Sequence, residues 1–167
     1  MKCLLTGGCA LEGYVNAVLW DPRVLKLAAD RSEVRLWLRP EAHQAKGAGL
    51  PSGISLGGVF ISSKERIVIP TSVERRTLHL PHGLSLAYLK SEDGWQAVGT
   101  VGQHPAALVR RGAVVFAFDP TALIGRYLNM MDIGITADIL DWMVVCVLQA
   151  GGHRARKPVA MWRDFHA

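Results

Sequence analysis

The sequence predicts an α/β fold: a central, mostly parallel sheet with flanking helices and a β-hairpin-rich insertion. Three observations point there. Ala113–Phe118 (AVVFAF) is a continuous apolar run ending at Asp119-Pro120, where a helical pattern begins. Such a run marks a strand buried on both faces. Ala137–Ala150 is apolar nearly all round, so it must be covered on most sides. Between about Arg31 and Lys90, short alternating runs separated by turn residues read as antiparallel hairpins.

In chain order, Lys2–Thr6 reads as a strand and Gly7-Gly8 as a turn. Leu11–Trp20 can form one or two helical turns, stopped by Asp21-Pro22, and Val24–Ala28 is a short apolar run. Val34, Leu36 and Leu38 alternate with Arg35, Trp37 and Arg39, giving one buried and one wet face. Glu41–Gly53, rich in Gly and Ala, reads as a mobile loop. Gly58–Ser62 and Arg66–Ile69 flank Ser63-Lys64-Glu65 as one hairpin. Thr77–Leu80 and Leu84–Tyr88 flank Pro81-His82-Gly83 as a second, with sound turn chemistry. After Ser91–Gly94, the segment Trp95–Asp119 carries a short strand, a strand at Ala107–Val109, a basic turn at Arg110-Arg111-Gly112, and the apolar run. Thr121–Met131 and Ala137–Ala150 read as helices, the second with Thr136 as N-cap and Gly151-Gly152 as its stop. The expectation is a single domain over residues 1–167, with residues 31–90 as a β-rich insertion or lid.

Composition narrows the classes. The chain has 167 residues, 50% hydrophobic and 20% charged, an ordinary globular balance. No apolar run reaches the ~18–20 residues that span a bilayer, so a cytoplasmic protein without membrane contact is expected. Cys3, Cys9 and Cys146 are scattered and contain no CxxC pair, against both a disulfide scaffold and a thiolate metal site. The net charge of +5 is spread over Arg75-Arg76, Arg110-Arg111 and His153–Lys157 without interleaved aromatic residues. These runs read as solvated turns rather than nucleic-acid contacts. Scarce Asn and an excess of Arg over Lys lean toward a thermophilic source.

Cys9, in TGGCALEG, follows a strand and a glycine turn as a nucleophile elbow would, but Leu11 stands where the elbow wants glycine. No His-x-Glu or His-x-Asp supplies a base with its orienting carboxylate, so no catalytic residue is assigned and Cys9 is a weak candidate. Gly7 and Gly8 could hold an anion on backbone N–H groups, and Asp119 sits where α/β sheets place ligands; the competing readings are a plain turn and a helix cap. Asp138 and Asp141 share a helix face at i, i+3. His79 and His82 flank a turn and lack metal-ligand spacing; no dinucleotide or P-loop motif occurs, and neither metal nor cofactor is expected.

The segment WQAVGTVGQHPAALVRRGAVVFAFD, Trp95–Asp119, resembles the late strands of class I glutamine amidotransferase-like domains, including the β-galactosidase trimerisation type. The resemblance implies a divergent or shortened member beginning near the family's Gly-Gly strand. His104-Pro105 is followed by Ala106 rather than Glu, so the Cys/His/Glu triad is missing. It therefore implies a non-catalytic domain for protein association or small-ligand binding. Separately, few helices to cover a sheet in a chain that is 50% hydrophobic predict a homo-oligomer or a protein partner through Val34–Tyr88 or a sheet edge. The alternatives are a cysteine-dependent hydrolase or amidotransferase using Cys9, and a basic nucleic-acid accessory protein.

Overall fold

Short connections decide the topology. Parallel neighbours need crossovers of a dozen or more residues, and the chain between Ile54 and Phe116 offers none. The computed structural model describes residues 2–5, 33–45, 49–72, 74–123 and 133–153. In order these form β1 (Lys2–Leu5), β2 (Glu33–Trp37), α1 (Pro40–Ala45), β3 (Ile54–Ile61), β4 (Arg66–Pro70), β5 (Arg75–His79) and β6 (Ser85–Ser91). There follow β7 (Gln96–Ala97), β8 (Thr100–Val101), β9 (His104–Pro105), β10 (Ala107–Arg110), β11 (Ala113–Phe116) and α2 (Ile133–Ala150). The chain is mostly β, 42% strand against 23% helix, not a central parallel sheet with flanking helices.

Three long hairpins build it. In the first, β3 pairs with β6 from Ile54↔Ser91 to Ile61↔Ser85, and β4 pairs with β5 from Arg66↔His79 to Pro70↔Arg75. Backbone bonds carry the pairing across the bend: Ser62 N–H to Leu84 O at 2.8 Å and Leu80 N–H to Glu65 O at 3.0 Å. Ser62, buried at the bend, accepts from Leu84 N–H at 2.9 Å and donates to Pro81 O. The two hairpins expected from sequence are thus one, bent in the middle. Its tip is Thr71–Glu74, and both expected turns lie side by side at the bend.

The second hairpin runs from Gln96↔Val109 to Val101↔His104 around Gly102-Gln103, and again crosses from one sheet to another. The third joins β10 to β11 at Arg111-Gly112. The resulting sheets are β1-β2-β11-β10-β7, β3-β6 and β5-β4-β8-β9. Only β1–β2 and β2–β11 are parallel. The apolar run at β11 was a sound sign of double-sided burial, since Val114, Val115 and Phe116 are fully buried. Double burial does not fix strand direction: β11 has a parallel neighbour on one side and an antiparallel one on the other.

α2 packs on β10, β11 and β4. It begins at Ile133, so Thr136 lies within its first turn rather than at its cap. Its end matches the expected glycine stop: Gly152 takes φ +79°, His153 N–H donates to Leu148 O at 2.8 Å and Gly152 N–H to Gln149 O at 3.1 Å. The third hairpin's tip adds a bond from Gly112 N–H to Ala150 O at 2.9 Å. Part of the expected loop Glu41–Gly53 is instead α1. The strands of residues 31–90 put Leu36, Ile67, Ile69, Leu78 and Leu86 into the same core cluster as α2. The stretch expected as a helix at Thr121–Met131 is helical from Pro120 to Leu123, and the rest of it, with Leu11–Trp20 and Val24–Ala28, lies outside the described residues.

Trp142 closes this core. Its ring meets Phe116 edge-on at 5.2 Å and stacks on Phe118 at 5.9 Å, and its Nε1 donates to Val98 O at 3.0 Å. Trp142→Ala should lose about 3–5 kcal/mol in urea denaturation. A second test concerns Gly99. Both Gly99 (φ +89°) and Gly94 (φ +95°) lie in the left-handed region, but a Cβ on Gly99 would meet Val68 O at 2.9 Å, whereas one on Gly94 meets nothing within 4 Å. Gly94→Ala should cost about 1–2 kcal/mol of backbone strain. Gly99→Ala should cost about 1–3 kcal/mol more, because a strand carbonyl cannot step aside. Equal losses would refute the packing described.

Candidate functional site

The hairpin tip at Thr71–Glu74 is closed by its own groups: Thr71 Oγ1 donates to Glu74 O at 2.7 Å and accepts from Glu74 N–H at 3.2 Å. Ser72 then reaches α2. Its N–H donates to both Asp141 carboxylate oxygens at 3.2 and 3.3 Å, and its hydroxyl donates to Oδ2 at 2.7 Å. Asp141 is only 2% exposed. Burial raises its pKa above the ordinary carboxylate value, outweighing the Ser72 bonds that favour the ion. Three residues earlier on the same helix face, Asp138 lies 3.5 Å from Arg76 Nε, while Arg76 Nη2 lies 3.1 Å from Glu74 Oε1. The two aspartates do share a face, as their spacing requires, and they fasten the hairpin tip to the helix.

Beside this clamp runs a groove. One part, about 570 Å³, lies between Thr71-Ser72, Gln96 and the end of α2 at Gln149 and His153. A second part, about 270 Å³, has Val68, Pro70 and Thr100 on one side and Arg75 on its wall. Val145 and Gln149 line both, so the two form one depression along the helix. Gln149 Nε2 donates to Gln96 Oε1 at 2.5 Å across it.

A different surface lies on β3. Among the described residues β3 pairs only with β6, so one side of this eight-residue strand is an edge with no strand partner among them. The strand, ISLGGVFI, carries no charge and no proline. Val59 is 49% and Ile61 61% exposed, the large exposed hydrophobics among the described residues. A register shift between Leu56 and Val59 makes a bulge at Gly57-Gly58, where Gly58 has φ +139°. On the sheet, Phe60 stacks on Tyr88 at 4.4 Å and Tyr88 meets His104 at 4.3 Å, aromatic pairs that pin β3, β6 and β9 together.

The sequence candidates fare unequally. Cys9, Gly7 and Gly8 lie outside the described residues. The Asp119 carboxylate accepts from Thr121 N–H at 2.9 Å and Thr121 Oγ1 at 2.6 Å, at the start of the helical turn from Pro120. It is placed as a cap, and it does not line the groove. Cys146 is fully buried and burial raises its thiol pKa. Among the described residues no group of three His, Cys, Asp or Glu could hold a metal ion, and no helix is long and apolar enough to cross a membrane. Arg75, expected in a solvated turn, is instead the first residue of β5 on the groove wall; the sequence offered no signal for Gln96 and Gln149, since the three come from separate elements. β3 lies within the block Val34–Tyr88 expected to associate, but its own signal, eight successive residues without a charge, was not singled out. No family model, curated protein or solved structure matches this chain.

Because Asp141 has a raised pKa, the native state holds its proton more tightly than the unfolded chain. Its stabilising protonated form is lost as pH rises from the ordinary carboxylate value through the raised one. Asp141→Asn should therefore gain on the wild type across that interval and equal or exceed its stability at pH 7. Asp141→Ala should lose about 1–3 kcal/mol by stranding the Ser72 donors. Denaturation of the three proteins against pH measures this; a wild type that gains on Asp141→Asn as pH rises would contradict it.

Proposed function

We propose that this chain is a non-catalytic association module that pairs with a second copy of itself through the open edge of β3. The observation that carries the reading is the uncharged edge strand with Val59 and Ile61 exposed on it. Soluble proteins normally blunt such edges with lysine, proline or a covering element. Here the bulge at Gly57-Gly58 is the blunting device within the strand, and it leaves Val59–Ile61 presentable.

Charge argues for a second copy. The chain carries +5, so two copies repel each other at long range. β3 contributes no charge of its own, although the Lys90 side chain of β6 lies against Gly57, and antiparallel pairing of two β3 edges is self-complementary about a twofold axis. Eight residues interrupted by a bulge make a small interface. The dimer belongs to the weak class, below about 1,200 Å² in total, with a dissociation constant on the order of micromolar.

The non-catalytic half of the proposal is supported by the engagement of the carboxylates near the groove: Asp141 on Ser72, Asp138 and Glu74 on Arg76. The chain also has no His-x-Glu or His-x-Asp. The parallel architecture that the amidotransferase-like resemblance implied is not the one observed, so the proposal rests on the edge and not on that resemblance.

Sedimentation equilibrium from about 1 to about 100 µM tests it. The wild type should move from monomer to dimer. Ile61→Lys and Val59→Lys should stay monomeric with melting temperatures near the wild type, since both positions are exposed. A wild type that remains monomeric throughout, or an Ile61→Lys variant that dimerises as well, would sink the proposal.

A further inference from the structure

We propose that the groove along α2 binds a small organic anion, its acidic group on Arg75 and its apolar body against Val68, Pro70 and Val145. This site is separate from the β3 edge and stands on different observations. Its two parts, about 570 Å³ and about 270 Å³, lie in the size range of small-molecule sites.

The charge arrangement selects the ligand. Arg75 is exposed on the groove wall and makes no salt bridge among the described residues. The carboxylates that could quench it are occupied: Glu74 lies on Arg76, Asp138 on Arg76, and Asp141 is held by Ser72. Arg75 shares the outer face of β4–β5 with Arg66 and His79, at Pro70↔Arg75 and Arg66↔His79, and no acidic residue is paired on that face. A guanidinium is permanently charged and offers a planar fork matched to carboxylate, phosphate or sulfonate oxygens. Arg66 adds longer-range attraction for the same sign.

The other end sets the orientation. α2 finishes there with its carbonyl end, where the helix dipole is negative and disfavours an anion. The Gln96–Gln149 pair uses one amide donor and one carbonyl, and leaves the Gln96 amide nitrogen and the Gln149 carbonyl for a neutral polar group. The acid head therefore goes to Arg75, the apolar body over Val68 and Val145, and any neutral polar tail to the glutamines.

The probe is 1-anilinonaphthalene-8-sulfonate, an aryl sulfonate whose fluorescence rises in apolar surroundings, titrated at protein concentrations below dimerisation. The wild type should bind it at one saturable site. Arg75→Gln should weaken binding about tenfold or more, the loss of one charge-assisted pair. Gln149→Glu, which sets a carboxylate in the groove, should weaken it likewise, with melting curves confirming that both variants fold. Hexanoate should displace the probe, and hexanol should not. Ile61→Lys should leave binding unchanged, since the edge is elsewhere. The proposal is overturned if Arg75→Gln binds as tightly as the wild type, if hexanol displaces the probe as well as hexanoate, or if Ile61→Lys is the variant that loses binding.

Discussion

The burial of Trp142 is the constraint on which the rest of the structure depends. Its indole fixes α2 against Phe116 and Phe118 of the third hairpin, and its N–H holds Val98 of the second. At that point the second hairpin crosses from one sheet to another, and Gly99 passes within reach of both Val68 O and the indole nitrogen. A Cβ at residue 99 would meet Val68 O at 2.9 Å and force the second hairpin away from β4. The first hairpin is then tied to the same helix by Ser72 on Asp141. Both proposed surfaces follow from this closure. The groove is the space left between α2 and the hairpins it holds, and β3 is the strand that the closed core leaves at the rim.

What the sequence revealed was burial, and what it concealed was direction. The β11 run, the alternation at Val34, Leu36 and Leu38, and the apolar helix all correctly named core residues. They could not say whether β11 had parallel neighbours, because an apolar run reports cover on two faces and nothing about hydrogen-bond partners. Connection length would have said more: Arg111-Gly112 and Gly102-Gln103 permit only antiparallel pairs. The first hairpin was misread for a related reason. Pro81-His82-Gly83 has good turn chemistry, but it bends a long hairpin rather than ending one, and its partner is Ser62, nineteen residues away.

The candidate site was legible only in part. Asp138 and Asp141 were visible as a pair because i, i+3 spacing is local to one helix. Their partners, Arg76 and Ser72, come from the hairpin tip, and no spacing rule links residues so far apart. The groove is hidden for the same reason, since Arg75, Gln96 and Gln149 meet only after three elements have packed. The β3 edge is different. Its lack of charge is plain in the sequence, but an uncharged strand is unremarkable in a sheet centre, and only the strand order makes it an edge.

The most direct test of self-pairing at β3 is amide hydrogen exchange, residue by residue, at low and high protein concentration. Among the described residues, the N–H groups of β3 that point away from β6 have no strand partner, while those toward β6 are bonded. Raising the concentration should protect the outward-facing amides of β3, around Val59–Ile61, and leave the core of α2 unchanged. Dimer formation with β3 exchange unaltered would place the interface elsewhere and contradict the account.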